Sequence, residues 1–323
     1  LEGLTANPIF PWVGSKSKIQ HLIRLLFPPD ISCLADHCGG SGAILLGTPK
    51  CSSRLDIYND YDVDLTNFFL CVRDRPLALI QELSFFPLQS EAEFTFLKDL
   101  LNRRMPLPDF TADELRVAKE SFTAEQYQEV REILLRQEKL WDVRRAAAFL
   151  KISCYSFSGT RNAFGIRKVS LRKCVRLIQE ASARLEGVPI TNRDCCDSIR
   201  INDAPGTLHY CDPPYYQAEN KYRVPFVKED HIRLHDTLLA CEGNVIVSYN
   251  DCPFICQLYQ DHYILRFQRR DPLSKKAGAI YKEVIITNFD PMPVFETNIS
   301  QLSMFGLLSA PEDAWKLELI HTP

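Results

Sequence analysis

"SCLADHCGGSGAILLG", residues 32–47, sets a short apolar run against an acid, then three closely spaced glycines, then more apolar residues. The run 32–36 reads as a strand, and the glycine turn reads as the opening of a helix. "SRLDIYND" (53–60) repeats the pattern of a strand ending in acid, and "DLTNFFLCVR" (64–73) returns to helical spacing. That order is the start of a doubly wound α/β sheet. Gly39, Gly40 and Gly42 alone are ambiguous, because they serve a plain tight turn as well as a close ligand approach. Asp60 sharpens the reading. It lies 20 residues after Gly40, at the end of the next strand, where nucleotide-binding sheets place the acid that accepts from ribose hydroxyls. A full G-x-G-x-x-G is missing, so a nucleoside ligand without phosphates fits better than a dinucleotide. S-adenosylmethionine is the common ligand of that kind.

Downstream the texture changes. From Pro76 to about Lys168 no strand is expected. "EAEFTFLKDLLNRR", "TAEQYQEVREILLRQEKL" and "DVRRAAAFLKISCYS" read as amphipathic helices, "MPLPDFTAD" as a loop between them, and "SFSGTRNAFGIRK" (156–168) as a polar closing loop. Strand and helix alternation then resumes. "VPIT", "TLHYC" (207–211), "NVIVSY", "YILRF" and "KEVIIT" are the strands, and the last 35 residues look irregular. The expected organisation is a Rossmann-like α/β catalytic domain, 1–75 with 169–323, interrupted by a mainly helical insertion over 76–168.

Composition excludes several classes. The chain has 323 residues, 46% hydrophobic and 24% charged, with no run near the length of a membrane span. "LEGLTANPIF" lacks the basic start and apolar centre of a signal peptide, so a cytoplasmic setting is expected. Twelve cysteines are scattered with no Cys-x-x-Cys pair, which points to reduced, buried thiols and no metal. His231 and His235 are read as helix-surface residues without a third ligand. Net charge is −3, yet Lys151–Arg184 carries eight basic residues and one acid, and Arg266–Lys282 carries six and one. A polarised surface of that kind suits a polyanion on one side.

"HYCDPPYYQ" (209–217) ends an apolar strand with a carboxylate, two prolines and two tyrosines. An amine on an aromatic ring is a poor nucleophile, because its lone pair is delocalised. Asp212 and a backbone carbonyl can accept from that NH2 and favour the localised lone pair that attacks a methyl sulfonium. Pro213 and Pro214 each fix φ near −65°, which aims the Pro213 carbonyl with little entropy to lose. Tyr215 offers a flat face on which an extruded base can stack.

With these motifs the chain resembles the Dam-type DNA adenine-N6 methyltransferases over most of its length. "PIFPWVGSKSK" (8–18), "ADHCGGSGA", "IYNDYDVDLTNFF", "YCDPPYY", "VIVSYND" and "KEVIITNF" follow in the family's order. The resemblance implies S-adenosylmethionine as cofactor, with Trp12, Lys16, Asp36, Gly40, Gly42, Asp60 and Asp212 at its site. It implies Asp212, Pro213, Pro214 and Tyr215 as the catalytic set. The chain reads Asp36-His37-Cys38 where the family often has Glu-Pro-Phe, and Ser15 stands where a second glycine is common. In the family the helical insertion reads double-stranded DNA, which here implies Arg161, Asn162, Arg167 and Lys168 as contacts. Arg172, Lys173 and Arg176 are phosphate contacts or solvated surface. The competing readings are a methylase of another planar amine or amide, in RNA or protein, and an inactive DNA-binding relative. Asp212 argues against the first, since relatives that modify glutamine carry Asn there. The intact Asp and Tyr argue against the second.

Overall fold

The computed structural model describes residues 3–83, 88, 90–102, 109–139, 141–156, 161, 163–165, 169–217, 224, 226–270, 280–304 and 317–323. In chain order the strands are β1 Cys33–Asp36, β2 Leu55–Asn59, β3 Ile190–Thr191, β4 Thr207–Cys211, β5 Asn244–Asn250, β6 Tyr263–Arg270, β7 Ile280–Thr287 and β8 Glu318–His321. The chain divides into two compact units. One comprises Lys16–Tyr61 and Arg193–Pro323; the other comprises Gly3–Ser15 and Asp62–Asn192.

The first unit is a sheet of order β2-β1-β4-β5-β7-β6-β8. β2, β1, β4 and β5 are parallel, while β7 runs antiparallel between β5 and β6. Alternation along the strands separates two cores. Val245 and Val247 of β5 and Val284 and Ile286 of β7 face one side, with helices Cys195–Asn202 and Lys228–Leu239. Ile246, Ile285 and Leu265 face the other, with Leu22, Ile23 and Leu26 of the N-terminal segment. Both faces are covered, so β4 is buried at every residue, as a central parallel strand must be. The chain leaves β1 towards β2 but returns on the other side of β1 as β4. That reversal opens a crevice at the carboxyl ends of β1 and β4.

A buried polar chain crosses this unit where the sequence carries His37. The His37 ring meets Ser198 Oγ at 2.9 Å and His209 Nδ1 at 2.9 Å. His209 Nε2 lies 3.0 Å from Asp203, which also accepts from the backbone N–H groups of Glu242 and Gly243. His37, which stands in a motif that often reads Glu-Pro-Phe, is thus matched by a second histidine on β4.

The second unit is helical: Val63–Asp74, Pro76–Glu82, Glu91–Leu101, Asp109–Ser121, Ala124–Lys139, Val143–Tyr155 and Leu171–Leu185. Side-chain caps start several of these helices. Asp62 accepts from the Asp64 and Leu65 N–H groups, Ser90 forms a capping box with Glu93, and Asp142 accepts from Arg145 N–H. Phe10, Phe68 and Phe149 pack edge-on or tilted in the centre. Arg145 is buried but satisfied by Asp64 and the carbonyls of Leu100 and Leu101.

Several expectations need correction. "MPLPDFTAD" runs into a helix from Asp109 to Ser121; its prolines precede that helix and do not interrupt it. The C-terminal region holds a helix, Pro291–Met304, and the strand β8. His231 and His235 are buried, not on the surface. His231 Nδ1 meets the Tyr249 hydroxyl at 2.7 Å, and Asp261 bridges His235 and His262. Those partners lie on later elements, so the local i, i+4 pattern did not disclose them.

Burial lowers the pKa of both His37 and His209, with His209 also opposing charge on His37 and Asp203 partly restoring it on His209. Such a histidine binds fewer protons folded than unfolded, so stability is lost as pH falls below about 6.5. His37→Gln keeps polar atoms for Ser198 and His209 and removes one titration. Thermal unfolding from about pH 7.5 to about pH 5.5 should show a smaller loss in His37→Gln than in the parent protein. Equal losses would remove His37 from the account.

Candidate active site

Parallel register brings the carboxylates together. Asp36 ends β1 opposite Tyr58 and Tyr210, Asp60 follows β2, and Asp212 follows β4. Gly40 and Gly42 turn the chain between β1 and the next helix at φ 52° and 69°, a conformation that penalises any side chain. The Gly40 N–H donates to Asp60 Oδ2 at 2.9 Å across a separation of 20 residues. The spacing read from the sequence is therefore a physical contact, which fixes one Asp60 oxygen on the glycine turn.

Asp36 is 1% exposed. Burial, then the charges of Asp212 and Asp60, push its carboxyl well above the usual range. Its Oδ1 has no hydrogen-bond partner. A buried acceptor left unmade costs about 1–3 kcal/mol. A cluster of acids around an unsatisfied oxygen suits a ligand bearing positive charge and N–H or O–H donors.

Asp212 is met by Lys16. The ammonium donates to Oδ1 at 2.5 Å and to Oδ2 at 2.6 Å, and Lys16 is 2% exposed. The same Nζ sits 4.9 Å from the centroid of the Tyr215 ring, a cation–π geometry. Tyr215 is itself buried, its hydroxyl donating to Glu283 Oε1 at 2.8 Å. Sequence reasoning placed Lys16 and Tyr215 near the site without anticipating their contact, and it missed Glu283. An acid of "KEVIIT" appears in the sequence only as an ordinary strand residue.

Trp12 and Arg161 fall in the helical unit. Arg161, expected as a DNA contact, is 4% exposed. Its backbone takes a left-handed φ of 59°. Its guanidinium pairs with Asp62 at 2.7 Å and lies over the rings of Trp12 at 4.8 Å and Phe149 at 4.9 Å. Burial opposes ionisation of Asp62, but the Arg161 charge and hydrogen bond outweigh it and hold that carboxyl below the usual range. The Arg161 side chain is thus engaged within the helical unit. Asn162, Arg167 and Lys168 lie outside the described residues. Arg172, Lys173 and Arg176 are exposed on helix Leu171–Leu185. None of the twelve cysteines is in a disulfide.

A mixed sheet whose parallel strands bring Asp36, Asp60 and Asp212 to their carboxyl ends, with Asp-Pro-Pro-Tyr directly after β4, is consistent with a methyltransferase fold. The family model for the D12 class of N6 adenine-specific DNA methyltransferases matches residues 12–271, and the chain belongs to that family. It is 22% identical over 308 residues to the type II methyltransferase M1.LlaDCHI of Lactococcus lactis subsp. cremoris, covering 88% of this chain and 96% of that protein. Among solved structures it is similar to protein LPL1258 from Legionella pneumophila str. Philadelphia 1, at 12% identity and a TM-score of 0.26, over 79% of this chain and 97% of that one. No described helix is long and apolar enough to cross a membrane.

Breaking a buried ion pair from one side strands the other charge, at a cost of about 3–5 kcal/mol. Lys16→Met should lose stability on that scale in denaturant titration. Adding Asp212→Asn to it should recover part of the loss, because the stranded charge is gone. No recovery in the double variant would show that the pair is not what Lys16 contributes.

Proposed function

We propose that the protein transfers a methyl group from S-adenosylmethionine to the N6 amine of an adenine turned out of duplex DNA, with Asp212, Pro213, Pro214 and Tyr215 as the catalytic set. The observation that carries this reading is the position of the Lys16 ammonium. It donates to Asp212 while lying over the Tyr215 ring. An adenine stacked on that ring presents its N6–H donors to the same acceptor. The site therefore already holds an N–H donor on the carboxylate that the substrate amine needs and over the ring that the base needs, and Lys16 is the group that yields on base entry.

The residues fit the cofactor. The family's S-adenosylmethionine supplies an electrophilic methyl group on a cationic sulfonium. The unsatisfied Asp36 oxygen and its acidic neighbours suit that positive charge. Asp60, oriented by Gly40, supports a role at the ribose, with Gly42 keeping the turn open. Trp12 joins the cofactor side through its motif. Asp212 accepts from the amine and stabilises the charge that develops on nitrogen. Pro213 aims its carbonyl at the second N–H. Tyr215 orients the ring, and proximity contributes much of the remaining rate.

The helical unit is the proposed reader of the DNA sequence. Asn162, Arg167 and Lys168 are its base or phosphate contacts, and Arg172 and Lys173 hold phosphates. The relative's printed name, a type II methyltransferase, supports a restriction-modification setting.

Methylation-sensitive sequencing of DNA from cells expressing the protein tests the reaction, with N6-methyladenine in one sequence context as the expected result and unmodified adenine as the refuting one. Asp212→Ala should lower single-turnover methylation by about 100-fold, on the scale of losing one preorganised charge-stabilising contact, while calorimetric cofactor affinity largely survives. Asp60→Ala should reverse that pattern and weaken the cofactor by about 1–3 kcal/mol. An unchanged affinity would remove Asp60 from the ribose.

A further inference from the structure

Glu283 lies on β7, is fully buried, and serves no part of the reaction described so far. It accepts from the Tyr215 hydroxyl at 2.8 Å. Its direct neighbour across the antiparallel β5–β7 pair is Asn250. Asn250 Nδ2 donates to the backbone carbonyl of Tyr216 at 3.2 Å. One cross-strand pair thus grips both tyrosines of "DPPYY", one through its side chain and the next through its main chain. Tyr249, the residue before Asn250, adds a ring 6.1 Å from that of Tyr215.

We propose that Glu283 is a positioning residue that fixes the plane of the Tyr215 ring for capture of the target base, with Asn250 fixing the backbone beside it. This rests on the reading of Tyr215 as the stacking face. A tyrosine held only at Cβ swings about χ1 and turns about χ2. Holding its hydroxyl as well leaves one plane. A carboxylate is a strong acceptor for that purpose, since hydrogen bonds to an ionised partner are roughly twice as strong as neutral ones. The arrangement also explains why a tyrosine is used at 215, since a phenylalanine would stack equally well but give Glu283 nothing to hold. A buried carboxylate with a hydroxyl donor is costly to keep in a core. Here it stands on the rigid pair β5–β7, where a fixed anchor for the Asp-Pro-Pro-Tyr turn has to stand.

The test places 2-aminopurine at the target adenine of a duplex and follows its fluorescence together with single-turnover methylation of the ordinary duplex. Glu283→Ala and Tyr215→Phe should each weaken capture of the extruded base by about tenfold, the scale of one hydrogen bond of roughly 1.4 kcal/mol, with calorimetric cofactor affinity unchanged. Glu283→Gln keeps an acceptor and should stay within about threefold of the parent protein. The Tyr215→Phe/Glu283→Ala double variant should be no worse than the worse single, because both remove one contact. Parent-like capture by Glu283→Ala, or a multiplicative loss in the double variant, overturns the proposal. If Glu283→Ala does not fold, Tyr215→Phe and Glu283→Gln carry the comparison, and parent-like capture by Tyr215→Phe overturns it. Tyr215→Ala separates the two readings. If that variant loses capture while Glu283→Ala does not, only the positioning role fails; if Tyr215→Ala captures normally, the stacking face fails and the positioning role with it.

Discussion

Parallel pairing of β1 with β2 and β4 delivers Asp36, Asp60 and Asp212 to the same end of the sheet. Strand direction leaves no alternative, because each acid stands at or just past the carboxyl end of its strand. Three carboxyl groups brought this close would repel if all were ionised, and the protein meets this in three different ways. Asp60 takes a backbone donor from the glycine turn. Asp212 takes the Lys16 ammonium. Asp36 takes nothing at Oδ1, and its carboxyl is pushed up by burial and by the other two. Each acid thus meets the repulsion differently, and at Asp36 one oxygen is left without a hydrogen-bond partner.

How much of this was readable follows from what each feature depends on. β4 matches "TLHYC" at both ends, because a strand buried on both faces must be continuously apolar and Pro213 and Pro214 cannot extend a central ladder. The placing of Asp60 at the end of the strand after the glycine turn was readable because that spacing is a local consequence of chain geometry, whereas its hydrogen bond from Gly40 was not anticipated. The Lys16–Asp212 pair spans 196 positions and has no local pattern at all. Only the family's motif order placed both residues near one pocket, and it did not say that they touch. Arg161 shows a surrounding that the sequence did not disclose. A basic residue among glycines reads as exposed, yet a left-handed backbone and an aromatic floor turn it inward.

The glycine motif shows how a departure from the family pattern can be absorbed. His37 replaces a residue that carries no polar side chain, which adds two ring nitrogens to a dry core. Left alone they would be unmade hydrogen bonds. His209 sits on β4 opposite Ala35, one step from the pairing of Asp36 with Tyr210, and so reaches His37 from the neighbouring strand. Ser198 takes the other nitrogen, and Asp203 terminates the chain while binding the loop before β5. Every link is needed for the next, because a partly satisfied buried network is worse than an apolar one. The change at 37 is therefore readable only together with 198, 203 and 209.

Lys16 connects the stability of the site with its chemistry. Paired with Lys16, Asp212 is neutralised as an acceptor and Tyr215 is covered, so the acid is protected from the cost of standing unpaired. In the proposed reaction, base entry would exchange one N–H donor for another on the same oxygens. Asp212 is already partly desolvated by Lys16, but exchanging an ammonium for a neutral amine also gives up a charge pair, and binding of the base has to offset that cost. A site arranged in this way is preorganised for an amine and for little else. A planar base lacking an exocyclic N–H would displace the ammonium and leave Asp212 buried with nothing to accept. Discrimination against such bases follows from the same unpaired charge that makes Lys16 necessary, because rejecting a ligand that lacks a needed donor is far more effective than rejecting one that is merely the wrong size.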